Sequence, residues 1–269
     1  MRKILYTALV AFGLIACDNI AEEDRLIYEP LPEVNRSVLI EDFTGQRCVN
    51  CPNAADEIHN LQKEYGEDAI IAVGIHGGPL AVYPNPERGI VGLATETGDK
   101  YNDHWKVEQW PMGMVNRGAV CGYTDWKAHV REELQKKAPV DILIKNDFPE
   151  GIENGLTRVS ATIQGVRGKT TGKLQIWIVE DNITAIQLMP DGTANQAYVH
   201  QHVFRAAVNG EWGEDIIVEE GKKVVTFNDI TIPSDWKRDN LSFVAFVYNE
   251  QGVQQVTRFP FNKIAKEND

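Results

Sequence analysis

Residues 37–43, SVLIEDF, read as an apolar strand, and two cysteines follow at once in TGQRCVNCP. Beyond them Ala55, Ile58, Leu61 and Tyr65 recur at three- and four-residue steps, which predicts a helix from about Asn53 to Tyr65, ended by Gly66. AIIAVGIHGG (69–78) reads as a buried strand. A loop with Pro79, Pro84 and Pro86 leads to a segment of mixed signal, read as helical through Trp105. WPMGMVNRGAV (110–120) gives Trp110-Pro111, a short strand and a Gly-containing turn, and TDWKAHVREELQKK (124–137) places Trp126, Val130 and Leu134 on one helix face. The order is strand, helix, strand, helix, strand, helix.

After Pro139 the pattern changes period. VDILIKN, LTRVSATIQ, KLQIWIVED, HQHVFRAAV, KKVVTFNDITI, LSFVAFVYN and QQVTRFPF are seven β-rich runs separated by Gly, Asn and Asp clusters. Seven such runs predict an antiparallel, immunoglobulin-like sandwich over residues 139–269. The α/β part covers 36–138, with the boundary at the shift from Ala138 to Val140. At 269 residues and 43% hydrophobic content, the chain can supply a core to each part.

The first sixteen residues belong to neither. Arg2 and Lys3 precede an uninterrupted apolar stretch from Ile4 to Ala16, too short for a permanent membrane span, which reads as a signal peptide. Leu14-Ile15-Ala16-Cys17 resembles the bacterial lipoprotein processing site; by that resemblance Cys17 begins the mature chain and carries the lipid. Residues 17–35 are rich in charge, contain Pro30 and Pro32, and read as a tether. Within them Glu22-Glu23-Asp24 resembles the short acidic signals that send lipoproteins of Bacteroidetes to the cell surface. The partner expected from this end is a membrane, held through the lipid. A net charge of −12, from 27 basic and 39 acidic residues, argues against nucleic acid, whose binding needs clustered Lys and Arg.

Export permits cysteine pairs to stay oxidised. Cys48 and Cys51 stand at a strand-to-helix junction, where unpaired N–H groups and the helix dipole stabilise a thiolate, and Arg47 adds a positive charge. A lone Cys-x-x-Cys is also the spacing of a structural bridge or half a zinc site. Cys121 with His59, His76 or His104 could complete a zinc set, but no second Cys-x-x-Cys or His-x-x-x-His supports it. No cofactor-binding motif appears: there is no Gly-rich phosphate loop and no Gly-x-Ser-x-Gly.

In this setting the chain resembles the thioredoxin superfamily. Asp42-Phe43-Thr44 matches the register of the buried Asp that thioredoxins carry six residues before the first cysteine. VEQWPMGMVNR (107–117) looks like their cis-proline loop, making Pro111 the candidate. The resemblance implies that Cys48 attacks, Cys51 resolves, Asp42 assists proton transfer and Pro111 shapes the peptide surface. Thr44 and Arg47 replace the usual aromatic residues and Pro52 is not the usual helix proline, which leaves the fold intact and puts efficient disulfide reduction in doubt.

Cys121 is left over, either a buried thiol behind the strand 112–117 or a resolving or intermolecular partner. His200 and His202 alternate on a β-rich run and are expected on one face of a strand. Trp177, Phe204, Phe227, Phe243 and Phe246 read as core. The lipoprotein signal, FTGQRCVNCPNA and YVHQHVFRAAVNG together resemble the twenty-eight-kilodalton outer-membrane-protein family of Bacteroidetes, which implies an outer-membrane location. Two functions remain: a binding or adhesion lipoprotein for a protein or peptide partner, in which the disulfide is a staple, or a thiol–disulfide oxidoreductase acting on exported proteins. Exposure of Cys48 discriminates between them.

Overall fold

The computed structural model describes residues 33–147, 155–219 and 221–263, all within one compact unit that starts at Pro32. The signal peptide, Cys17 and most of the tether lie outside the described residues.

Strand β1 (Val38–Thr44) is followed by α1 (Cys51–Tyr65), β2 (Ile70–His76), α2 (Glu96–His104), β3 (Met112–Val115) and α3 (Tyr123–Leu134). β1 runs parallel to β2 and antiparallel to β3. Both β1 and β2 are buried on both faces, which is why they read as apolar strands; in β1 that burial extends to Glu41 and Asp42. Their even-numbered residues Val38, Ile40, Ile70 and Ala72 pack with Ala54, Ile58 and Leu61 of α1 and Trp126 and Val130 of α3. The odd-numbered Leu39, Phe43, Ile71, Val73 and Ile75 join a second core with Tyr101, Trp177, Phe204 and Phe246.

The β-rich part comprises β4 (Val140–Asp147), β5 (Leu156–Gly165), β6 (Thr170–Glu180), β7 (Ile183–Leu188), β8 (Ala194–His200), β9 (Val203–Ala207), β10 (Glu214–Val218), β11 (Gly221–Thr231), β12 (Leu241–Asn249) and β13 (Gly252–Pro260). All seven expected runs form strands. β7, β8 and β10 are additional, and a polar sequence hid β8, whose Ala194–Ala197 are all exposed.

The strands on either side of residue 139 share one eight-stranded mixed sheet, in the order β13-β12-β6-β9-β2-β1-β3, with β10 also paired to β6. The join is a single parallel pair, Gly74 with Val203. The composition shift at 138–140 thus marks a change of element type, and the sheet continues past it. A smaller sheet, β11-β5-β4, packs on β6 and β12 through Ile142, Ile144, Val159, Ile163, Ile176, Ile178 and Phe243. This is a two-layer sandwich in which one layer belongs to the shared sheet. The hairpin β7–β8 forms a third, two-stranded sheet of its own.

Across the second core, Arg117 lies in ion-pair contact with Glu41 at 3.3 Å, both buried. The guanidinium sits over Tyr248 at 4.1 Å and Phe246 at 4.8 Å. It therefore ties β1 to residues of β12. Trp177, Phe204, Phe243 and Phe246 are fully buried and Phe227 partly so, as expected of core.

Candidate functional site

The face of β1 and β2 turned to α1 is apolar at Val38, Ile40, Ile70 and Ala72 and becomes polar at its far end, with Asp42, Thr44, Gly74 and His76. That end meets the start of α1. Cys48 and Cys51 form a disulfide there, with Cα atoms 5.4 Å apart. The helix begins at Cys51, not near Cys48; Cys48 occupies the preceding turn, its N–H donating to the Gly45 carbonyl oxygen. Pro52 falls in the first turn, where a missing N–H breaks no helical bond. Arg47 is exposed. Trp110-Pro111 is cis, and Met112 next to it pairs with Phe43 of β1.

The disulfide is covered. Cys48 is 2% exposed and Cys51 3%. The side-chain amide of Gln187, on β7, donates to the Cys48 carbonyl oxygen at 2.8 Å and to Leu188 O at 3.0 Å, with Gly45 O at 3.4 Å. The Leu188 N–H donates to the carbonyl oxygen of Gln46 at 2.9 Å. Gln46, 1% exposed, donates through Nε2 to Val91 O and Ile186 O and accepts from Leu93 N–H. Gln46 thereby holds together the cysteine turn, the proline-rich loop and the hairpin.

Behind the disulfide is a cavity of about 110 Å³, lined among others by Asp42, Cys51, Gly74, His76, Gln187 and His200. Asp42 is 4% exposed, and burial pushes its carboxyl up to about 8, so it is mostly protonated at neutral pH. Burial holds His76 well below the ordinary range, helped by the positive potential of His200 and Arg205. Burial likewise lowers His200 to about 4, against hydrogen bonds to the backbone of Ile186 and Ala185 that favour its charged form. Their rings stand edge to face with centroids 5.5 Å apart. Asp42 Oδ1, His76 Nδ1 and His200 Nε2 have no protein partner, and each such group costs about 1–3 kcal/mol unless water satisfies it.

One expectation changes here. His200 and His202 do not share a strand face: β8 ends at His200, and the chain turns through His202 in a left-handed conformation (φ 56°). His202 instead contacts Asp181 at 3.2 Å. Among the described residues no group of three His, Cys, Asp or Glu side chains is placed to hold a metal ion. Cys121 is a half-buried free thiol whose backbone pairs with Gly113 beside β1, and burial raises its pKa. Gln46 and Gln187 were not singled out by sequence, and His76 was named only as one possible fourth ligand of a zinc set. The position of His76, two residues beyond Gly74 on the face shared with Asp42, was readable once β1 and β2 were placed parallel.

Among the described residues no helix is long and apolar enough to cross a membrane. No curated protein sequence matches the chain. The fold is similar to that of HBP35 of Porphyromonas gingivalis, with a TM-score of 0.65 at 15% identity over 88% of this chain and 78% of that one. A domain of the outer membrane lipoprotein Omp28 from Porphyromonas gingivalis is 24% identical, over 48% of this chain and 92% of that domain, with a TM-score of 0.33. The model of the family described as outer membrane protein Omp28 matches residues 98–264, from α2 to past β13; the match starts beyond the cysteine pair and takes in the hairpin that covers it. Spanning well over half of the chain, that match makes the protein a member of the Omp28 family of outer membrane proteins.

Proposed function

We propose that this outer-membrane protein is a lipid-anchored binding protein whose α/β part is a thioredoxin-like scaffold and whose β-rich, immunoglobulin-like part presents the surface for a protein or peptide partner. Support for the scaffold comes from the order β1-α1-β2-α2-β3-α3, with parallel β1 and β2, antiparallel β3 and a disulfide entering α1. The anchor is Cys17, on the sequence Leu14-Ile15-Ala16-Cys17. Mass spectrometry of the protein from cells should find Cys17 lipidated at the mature N-terminus; an intact, unlipidated Cys17 would remove the anchor.

The observation that carries the binding reading is the burial of Cys48 under Gln187. Disulfide exchange requires a sulfur that an attacking thiolate can reach, and a covered pair acts as a staple. Equilibration of the folded protein with thiol redox buffers tests it. A reduction potential under roughly −300 mV is expected, and a value of about −120 to −200 mV would favour exchange instead.

One observation favours the exchange reading. Asp42 is buried and protonated behind the pair, where it can supply a proton to Cys51 as the disulfide opens. A staple has no use for that carboxyl.

A further inference from the structure

The cover over Cys48 is an excursion from the main sheet. β6 ends at Glu180 and β9 begins at Val203, and these two residues pair directly, so residues 181–202 leave and return at one point. That stem is closed by its own bonds. Asp181 accepts from His202 N–H at 2.8 Å, and the side chains of Gln201 and Asn182 bond at 3.1 Å. Arg258 of β13 pairs with Asp181 from outside. At the two ends of the excursion stand Asn182 and His202, both non-glycine residues in the left-handed region, with φ of 57° and 56°. Paired residues of that kind, each bearing local backbone strain, are where a segment can pivot.

Beyond the stem the hairpin has little apolar hold. Among residues 183–200 only Ala185, Gln187 and His200 are buried, and none of the eighteen contributes to the three hydrophobic clusters. Its attachment to the α/β part includes the polar contacts already described: Gln187 on Cys48 and Gly45, Leu188 N–H on Gln46 O, and Gln46 Nε2 on Ile186 O. A segment with few apolar contacts and a polar latch opens locally, well below the cost of global unfolding.

We infer that the β7–β8 hairpin is a flap, pivoting at Asn182 and His202 and latched by Gln46 and Gln187, that gates thiol access to the Cys48–Cys51 disulfide. The inference rests on the covered-disulfide reading and adds how the cover lifts. With the flap open, a dithiol reductant can enter. Its thiolate attacks Cys48 Sγ, the Cys48–Cys51 bond breaks, and the electron pair passes to Cys51 Sγ, which takes the Asp42 proton. The reductant's second thiol then displaces Cys48, leaving the reductant as a disulfide and the protein as a dithiol, with Asp42 reprotonated by solvent. A partner that seized the hairpin would thereby turn the staple into a reactive pair.

The test is the rate at which dithiothreitol reduces the processed full-length protein in detergent, followed by alkylation and mass spectrometry across urea concentrations below the unfolding transition. Wild-type reduction should be slow and nearly independent of urea. Gln187→Ala, which removes the bonds to the Cys48 and Gly45 carbonyl oxygens that exist only when the flap is closed, should speed it by about tenfold. Val159→Ala, in the core between the sheets and away from the flap, should lower global stability and leave the rate unchanged. Reduction as steep in urea as global unfolding, or acceleration by Val159→Ala equal to that by Gln187→Ala, would overturn the flap while the covered disulfide stands. Wild-type reduction as fast as that of an exposed disulfide, with no effect of Gln187→Ala, would overturn both.

Discussion

The side-chain amide of Gln187 reaches the carbonyl oxygen of Cys48 at 2.8 Å, across 139 positions of sequence. The family match covers Gln187 and stops short of Cys48, so this bond joins the Omp28 region to a disulfide outside it. The same relationship supports the staple reading proposed above over the exchanging pair. The sulfur that the thioredoxin resemblance casts as the attacker belongs to the residue that Gln187 covers.

Asp42 makes stability depend on pH. Its carboxyl is raised to about 8 in the folded protein by burial, so the folded state holds a proton that the unfolded chain releases near its ordinary pKa of about 3.9. The sign follows: the stability linked to this group is complete below about pH 4 and is lost as pH rises toward 8. Asp42→Asn should match the wild type in acid and become the more stable protein above it, the gap widening by up to about 1.4 kcal/mol per pH unit. Urea unfolding at several pH values reads this directly, and parallel curves would show that Asp42 is wetted.

The buried ion pair of Glu41 and Arg117 should be costly to break from one side. Arg117→Ala leaves a carboxylate 1% exposed on its side chain and removes the cation from the rings of Tyr248 and Phe246. A loss of about 3–5 kcal/mol is expected, against a much smaller loss for the double change Glu41→Gln with Arg117→Met, which removes both charges. A double-mutant cycle in urea measures both.

Gly45 is fixed by a close approach. A Cβ there would stand 2.5 Å from the Leu80 carbonyl oxygen, which already accepts from Arg47 N–H. Gly45→Ala should displace the proline-rich loop from the cysteine turn and cost about 1–3 kcal/mol, read by thermal unfolding.

What sequence made legible were features with a local cause. Strands buried on both faces are rich in apolar residues, so β1 and β2 were plain, β1 despite Glu41 and Asp42. Alternation marked β4 and β5, an apolar run marked β12, and the resemblance to thioredoxins pointed to Asp42 and Pro111. Illegible were features made by distant contacts. Gln46 and Gln187 are polar residues buried by each other's segments, and nothing in TGQRC or TAIQL marks that. β8 carries so much exposed polar sequence that no hydrophobic period survives, which hid the hairpin and with it the cover. His200 and His202 alternate as in a strand, yet the strand ends at His200 and the left-handed turn at His202 brings that ring to Asp181, although both rings border the cavity.

Acid should loosen the flap through His200. The closed state holds this imidazole neutral, lowered to about 4 chiefly by burial, while an opened hairpin restores the ordinary value of about 6.5. A depressed pKa stabilises the closed form above about pH 6.5, and that stability is lost as pH falls toward 4. The groups around it are His76 from β2, Asp42 from β1, His59 from α1, and Tyr198 and His202 on its own segment, with Arg205 of β9 acting on His76. His76, lowered by the same burial, pushes in the same direction; Asp42 pushes in the opposite one wherever opening wets it. The rate of reduction by a phosphine, corrected for the reductant's own titration on an exposed disulfide, should therefore rise by up to about tenfold per pH unit between roughly 6.5 and 4. His200→Gln, which cannot gain the proton, should flatten that rise and leave the rate near pH 7.5 close to wild type. A profile unchanged by the substitution would mean that His200 stays buried when the disulfide is reached, and that the pivot lies beyond it.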